Sequence, residues 1–331
     1  MTKTFNHFWP VYKNLETETL ELANYIQFSD DQLSVYSMHI ADLLVRCSME
    51  IEAISKELYK LTNGPKVYDI DGKERQLYFD TDCLAYLDKQ WGICARKVMI
   101  TATRFYFINE EFQTLQPLKN ADKRGKAKWK KAYQAVKHDR KNSIKQGNIN
   151  NLLLALAALY ILNVYYKDNR IDLGETNNPE QVFDSRFGSE IFSVTVANAT
   201  VDIELNGKVT YKSLSMKKHE ECKEAIYIIR LTDSARVEIF KTMEWANKNI
   251  IKTLEGSEAY KKYLLENNGQ WKKGENIYTL VPKVLGSDYI KTVNPFGRAF
   301  GAFIYGHKEA ILNKNQSIYE NSVDLDELNN C

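Results

Sequence analysis

Cysteine is scarce in this chain and poorly placed for cross-linking. The five thiols, at positions 47, 83, 94, 222 and 331, are odd in number and show no C-x-x-C spacing, so neither a disulfide framework nor a zinc site is indicated. Reduced thiols in a cytoplasmic protein are the simplest reading. The N-terminus, MTKTFNHFWPVYKNLE, lacks the basic-then-apolar order of a secretion signal. The most apolar run, residues 152–166, is interrupted by Asn163 and falls short of the roughly 20 residues a bilayer-spanning helix needs. No membrane span is expected. Also missing are H-E-x-x-H, P-loop and G-x-S-x-G patterns, solenoid repeats, and ligand-type spacing among His7, His39, His219 and His307. Residues 294–301 (NPFGRAFG) look like a phosphate loop but lack the Lys-Ser/Thr that would complete one, and read as a turn-rich connection. These patterns ask for no metal and no cofactor.

The chain does carry concentrated positive charge. Residues 123–145, KRGKAKWKKAYQAVKHDRKNSIK, hold ten Lys/Arg and one acid, Asp139, a net +9 in a chain whose formal charge is +2. Everything outside the segment therefore sums to about −7. Such a field on a near-neutral protein is the electrostatic footprint of a polyanion site. RNA is the expected partner, held through Lys126, Lys128, Lys130, Lys131 and Lys141. Within the segment Trp129, Tyr133 and Val136 are spaced 4 and 3, which predicts a helix with one packed face and lysines over the rest.

The remaining helices are read from periodicity. Residues 14–26 read as a short amphipathic helix. Tyr36, Ile40, Leu43, Cys47, Ile51, Ile54, Leu58 and Leu61 form one apolar face of a helix over about 31–62, capped near Ser29-Asp30-Asp31 and stopped by Asn63-Gly64-Pro65. Residues 66–79 contain Asp71-Gly72 between alternating apolar positions, which fits a small hairpin or extended excursion. Residues 80–107 read as another helix, with Gly92 weakening but not ending it. Residues 149–167 make the last long helix. Together these predict an all-α bundle for residues 1–168.

At 331 residues two domains are expected, with a polar, turn-rich boundary over 167–180. Beyond it, period-two runs at 191–196, 201–205 and 209–214, an Asn206-Gly207 turn signal, and the apolar run 225–231 predict strands. Residues 233–254 and 257–267 read as helices. The fold class is thus an α-helical bundle N-terminal domain followed by an α+β C-terminal domain over 181–331.

Among titratable groups His138 stands out, held between Lys137 and Arg140. Imidazole is suited to proton transfer near neutral pH, and flanking cations would stabilise a phosphorane-like transition state. The plainer alternative is a solvated lysine-rich helix with an incidental histidine. Arg46 and Glu50, four apart beside the apolar face of the 31–62 helix, are either an i,i+4 surface pair or part of the same site as His138.

The pair RCSMEIEAISKELY (46–59) on one long helix and YQAVKHDR (133–140) before an apolar helix resembles the HEPN superfamily. The resemblance covers residues 1–168. It implies an α-helical, metal-independent endoribonuclease of defence or toxin systems, acting as a homodimer with a composite cleft. By that resemblance His138 would be the general acid or base, Arg140 and Lys137 would stabilise charge, and Arg46 and Glu50 would orient the site. The family signature, an arginine separated from the histidine by four to six residues, is not met: positions 131, 132 and 133 hold Lys, Ala and Tyr. A non-catalytic RNA- or partner-binding module is the alternative, and a scaffold docking an acidic protein is a third. The C-terminal half is left for a regulatory protein or ligand.

Overall fold

The most apolar stretch folds as the helix Ile149–Lys167, and the rest of the protein is arranged about it. A computed structural model describes residues 6–315 apart from 177, 200–201, 207–209, 216–222, 276 and 287–306. The first helix is α1 (Phe8–Leu22), followed by α2 (Met38–Leu61). A π-helical turn, Phe79–Leu84, leads into α3 (Ala85–Trp91), and a single turn, α4 (Glu110–Gln113), precedes the basic helix α5 (Lys128–His138). The short α6 (Arg140–Ser143) then leads to α7 (Ile149–Lys167).

Helix α7 is capped by Asn148, whose side chain accepts from Asn151 N, and ends at Asp168 in the left-handed region (φ 47°). Long and apolar enough to cross a bilayer by length and composition, it is instead mostly buried within the protein. α1, α2 and α5 pack against it, and their apolar faces close around Leu152, Leu156, Leu159 and Tyr160. On α2, Ile40, Leu43, Cys47, Ile51, Ile54 and Leu58 are all buried. Burial pushes the Cys47 thiol far up, so it behaves as a small apolar side chain. Gly147 makes this packing possible: a Cβ there would meet the Ala41 Cβ at 2.5 Å.

Several expected boundaries move for identifiable reasons. α1 starts at Phe8 rather than near 14, because Asn6 Oδ1 accepts from the N–H groups of Phe8 and Trp9, both at 3.1 Å. α2 starts after Ser37, whose hydroxyl accepts from Ile40 N. Asp30 is spent elsewhere, on the N–H groups of Ile108 and Asn109. The expected helix over 80–107 is broken. Gly92 takes the left-handed conformation (φ 64°), its N–H closes on Asp88 O at 2.7 Å, and α3 stops there.

After α3 the chain turns to strand, so residues 1–168 are mixed rather than all-α. β1 (Phe28–Ser29) pairs in parallel with β3 (Phe105–Tyr106), and Phe28 stacks on Phe105 with centroids 4.5 Å apart. β2 (Val98–Ile100) is the centre of a small antiparallel sheet, between β4 (Thr114–Leu115) and β6 (Phe192–Val194). The excursion at 66–79 is the small hairpin expected: Tyr68 bridges Glu74, with Gly72 at φ 76° in the turn.

Beyond α7 come β5 (Ile171–Gly174), a single turn α8 (Pro179–Val182) and β7 (Val196–Asn198). β8 (Asp202–Asn206) pairs antiparallel with β9 (Thr210–Ser215), as the Asn206-Gly207 signal predicts, although that turn lies outside the described residues. β10 (Tyr227–Leu231) is central in a four-stranded sheet of order β5-β11-β10-β7, where β11 is Lys308–Leu312. Helices α9 (Asp233–Glu255), α10 (Glu258–Glu266) and α11 (Ile277–Leu285) gather around Leu254, Tyr260, Tyr263 and Leu280 as a separate apolar cluster. The loop expected at 294–301 lies outside the described residues.

The main core does not divide at 168. One apolar cluster runs from Tyr12 through α7 to Phe192, Tyr227 and Leu312. The fully buried Arg96 pins it: its Nε donates to Tyr165 Oη at 3.0 Å and its Nη2 to Asn313 O at 3.1 Å. Glu16 makes a second tie, accepting from Tyr12 Oη (2.8 Å), the Ser189 hydroxyl, and the N–H groups of Glu190 and Ile191. The break in apolar clusters comes later, where α9 leaves β10.

Candidate functional site

The basic segment is built around one buried face. Trp129, Ala132, Tyr133 and Val136 of α5 face α2 and α7, and the Trp129 indole donates to Pro117 O at 2.9 Å. With these positions fixed, the helical repeat forces the intervening lysines outward. Nine of the ten cations in the segment are exposed: Lys123, Arg124, Lys126, Lys128, Lys131, Lys137, Arg140, Lys141 and Lys145. Among the described residues none of these nine has an acidic partner at ion-pair distance. The segment's own acid is not available either, since Asp139 caps α6 and accepts from the side-chain amide of Asn142 at 3.1 Å.

Lys130 is the exception and a correction. Expected as a nucleic-acid contact, it is 4% exposed. Its ammonium pairs with the Asp80 carboxylate and lies 5.1 Å from the Phe79 ring centroid. Burial presses that ammonium down to about 8. A side chain committed in this way cannot reach a phosphate outside.

His138 ends α5 and is exposed, its Nε2 lying 3.1 Å from Gln134 Oε1 one turn earlier. Lys137 donates to the Tyr133 hydroxyl at 3.1 Å, and that bond raises its ammonium above the ordinary lysine range. Arg140 and Lys141 are exposed on α6. Lys137, His138 and Arg140 are thus all exposed where α5 meets α6, but among the described residues no hydrogen bond joins the three side chains. Arg46 and Glu50 are not part of that group. Arg46 is turned to α1, where both guanidinium nitrogens meet Glu18 at 2.6 Å. This bidentate pair raises Arg46 and lowers Glu18, and it replaces the i,i+4 pair with Glu50. Partial burial raises the Glu50 carboxyl. Among the described residues no hydrogen bond or ion pair joins Arg46 or Glu50 to His138. No three His, Cys, Asp or Glu side chains among the described residues gather as a metal ion would require.

Beside the lysine face lies a cleft of about 600 Å³. One wall is the π-helical turn with Tyr78, Phe79 and Asp80, and the other is α5 with Lys130 and Gln134. Arg124 and Gly125 line its mouth, and Glu52 of α2 also contributes. Single π-helical turns recur at functional sites. Arg75 is clamped at the rim by Asp82 (2.7 and 2.9 Å), with its guanidinium carbon 4.6 Å from the Tyr78 ring centroid. Sequence reasoning missed this cleft. The available signal was an arginine and two aromatics, RQLYF at 75–79, leading into a π turn that carries an acid at a buried position.

Comparison of the chain with protein-family models, with curated proteins and with solved structures finds no match.

Proposed function

We propose that the protein binds RNA through the lysine face of α5 and its flanking loops, and that this face belongs to a HEPN-like helical domain. One observation carries the reading: nine neighbouring cations stand exposed without counter-charge among the described residues, while the tenth is buried and neutralised. A face so dominated by cations repels itself and gains by meeting a polyanion, because each contacted phosphate releases condensed counterions. The packing of α1, α2 and α5 about the apolar α7 supports the HEPN resemblance. That resemblance also implies a second copy, with two bundles facing across one cleft.

Reversing Lys126, Lys128 and Lys131 to Glu tests the reading. All three side chains are exposed, so the fold should survive while RNA affinity falls at least tenfold at physiological salt. Unchanged affinity in the folded variant removes RNA from the account.

A nuclease activity is the second reading, favoured by the exposed imidazole of His138 between Lys137 and Arg140 and its contact with Gln134. In that role it would take the proton of a ribose 2′-hydroxyl as that oxygen attacks the adjacent phosphorus; the P–O5′ bond breaks, the 5′-oxygen leaves as a hydroxyl with a proton from solvent, a 2′,3′-cyclic phosphate remains, and Lys137 and Arg140 would stabilise the developing charge.

A further inference from the structure

We propose that the cleft between the π-helical turn and α5 takes one unstacked base of a single-stranded RNA, laid on the open face of Tyr78. The phosphates flanking that base then fall on Arg124, Lys126 and Lys128. The inference rests on the RNA-binding reading and names its substrate class: single strands, not duplexes.

The cleft has the properties this requires. Its volume, about 600 Å³, is in the range of small-ligand sites, roughly 300–1,000 Å³. Tyr78 is 59% exposed although it lines the cleft. One ring face is occupied by Arg75, which Asp82 holds from behind. The ring is therefore braced on one side and open on the other. A fixed aromatic platform binds with little loss of side-chain freedom, and base–aromatic stacking tolerates any sequence because every base has a π face.

Charge is arranged to match. At the base of the cleft Lys130 and Asp80 neutralise one another, so an uncharged base meets no isolated charge there. At the open end Arg124 has no acidic partner among the described residues and adjoins Lys126 and Lys128, also unpartnered. Gln134 faces the cleft, and its amide N–H groups have no acceptor among the described residues, since only its Oε1 is engaged, with His138. That amide is available to a base carbonyl. The cleft thus joins apolar stacking, a neutral floor, an amide donor and a cationic exit. A duplex offers its bases already stacked and paired, showing backbone, 2′-hydroxyls and base edges but no free base face, and cannot lay a base on Tyr78.

The test measures binding by fluorescence anisotropy with three labelled probes of equal length: a single-stranded RNA of mixed sequence, the same strand in duplex, and an abasic strand. Wild type, Tyr78→Ala and Tyr78→Phe are compared at one salt concentration. The expected result is tightest binding to the single strand and a loss of about 5- to 100-fold there for Tyr78→Ala. Tyr78→Phe should bind like wild type, and duplex and abasic probes should not distinguish the three proteins. Single-strand binding unchanged by Tyr78→Ala overturns the base site while leaving the lysine-face reading intact. An equal loss on all three probes also overturns it, since it would indicate a general structural effect. Displacement of the RNA by equimolar nucleoside monophosphate would make the cleft a free-nucleotide site and overturn the strand assignment. No RNA binding by wild type overturns both readings.

Discussion

The ammonium of Lys130 is seated against the carboxylate of Asp80, both almost wholly buried, directly beneath a surface of lysines that have no acidic partner among the described residues. One lysine of the basic run is thus structural, and its neighbours on α5 are left to face outward. The pair also ties α5 to the π-helical turn that walls the cleft.

Breaking one half of this pair should destabilise the fold strongly. Lys130→Met or Asp80→Leu alone leaves an uncompensated buried charge and should cost about 3–5 kcal/mol. The double variant should recover much of that loss, because both charges disappear together. Urea denaturation of the four proteins reads the coupling. If the double variant loses the full sum of the single losses, the two side chains act independently and the pairing has no energetic content.

Glu16 sets a pH dependence. Burial alone would raise its carboxyl, but hydrogen bonds from Lys13, Ser189, the Ile191 N–H and Tyr12 outweigh burial and hold it below the usual carboxylate range. A depressed carboxyl contributes stability that is full above its unfolded value, about 4.3, and is lost as pH falls through the lower folded value. Thermal midpoints measured from pH 7 to pH 3 should drop on the acid side, and Glu16→Gln should be less stable at pH 7 with a flatter acid limb. Parallel acid limbs in wild type and variant would show that another group carries the acid sensitivity.

Much of the helical frame was legible in sequence, for reasons specific to each element. α7 is read from its long apolar run, interrupted only at Asn163, α2 from an i, i+3, i+4 stripe, and α5 from Trp129, Tyr133 and Val136. Each carries its signal within its own residues. The parts that could not be read depend on distant partners. β2 finds β6 nearly a hundred residues away, through Val98 and Val194, and no local pattern announces that. Lys130 looks like its neighbours until Asp80 is placed beside it. Gly92 could weaken a helix or end one, and only its left-handed φ decides. Glu16 gave a usable sign: an acid in the face formed by Tyr12, Leu15, Thr19 and Leu22 must find buried donors.

Truncation probes the continuous core. A chain ending at Asp168 would lose β6 from the small sheet, Phe192 from its contact with Tyr160, and the Asn313 acceptor of Arg96 and Tyr165. Exposed apolar surface and an unsatisfied buried guanidinium should leave it aggregating or poorly cooperative. A soluble fragment with a sharp unfolding transition by circular dichroism would mean that residues 1–168 form an independent unit after all.

His138 separates binding from cleavage. His138→Ala should leave RNA affinity within about twofold, since one exposed side chain among nine exposed cations adds little to phosphate binding. On the nuclease reading it should lower cleavage by about 10²–10⁴-fold, in buffer containing EDTA, with wild-type products ending in 2′,3′-cyclic phosphate. Equal cleavage by both proteins would remove His138 from the chemistry, and no cleavage by either would leave binding alone.

The most direct measurement is the salt dependence of RNA affinity for wild type and the Lys126→Glu, Lys128→Glu, Lys131→Glu variant. Single-strand binding through phosphates lowers log affinity by about 0.7 per contact for each decade of salt. Wild type should therefore show a steep negative slope, and the variant should bind weakly with a slope shallower by about 2. Wild-type affinity indifferent to salt, or identical slopes in the two folded proteins, would contradict the assignment of the α5 face as an RNA-binding surface.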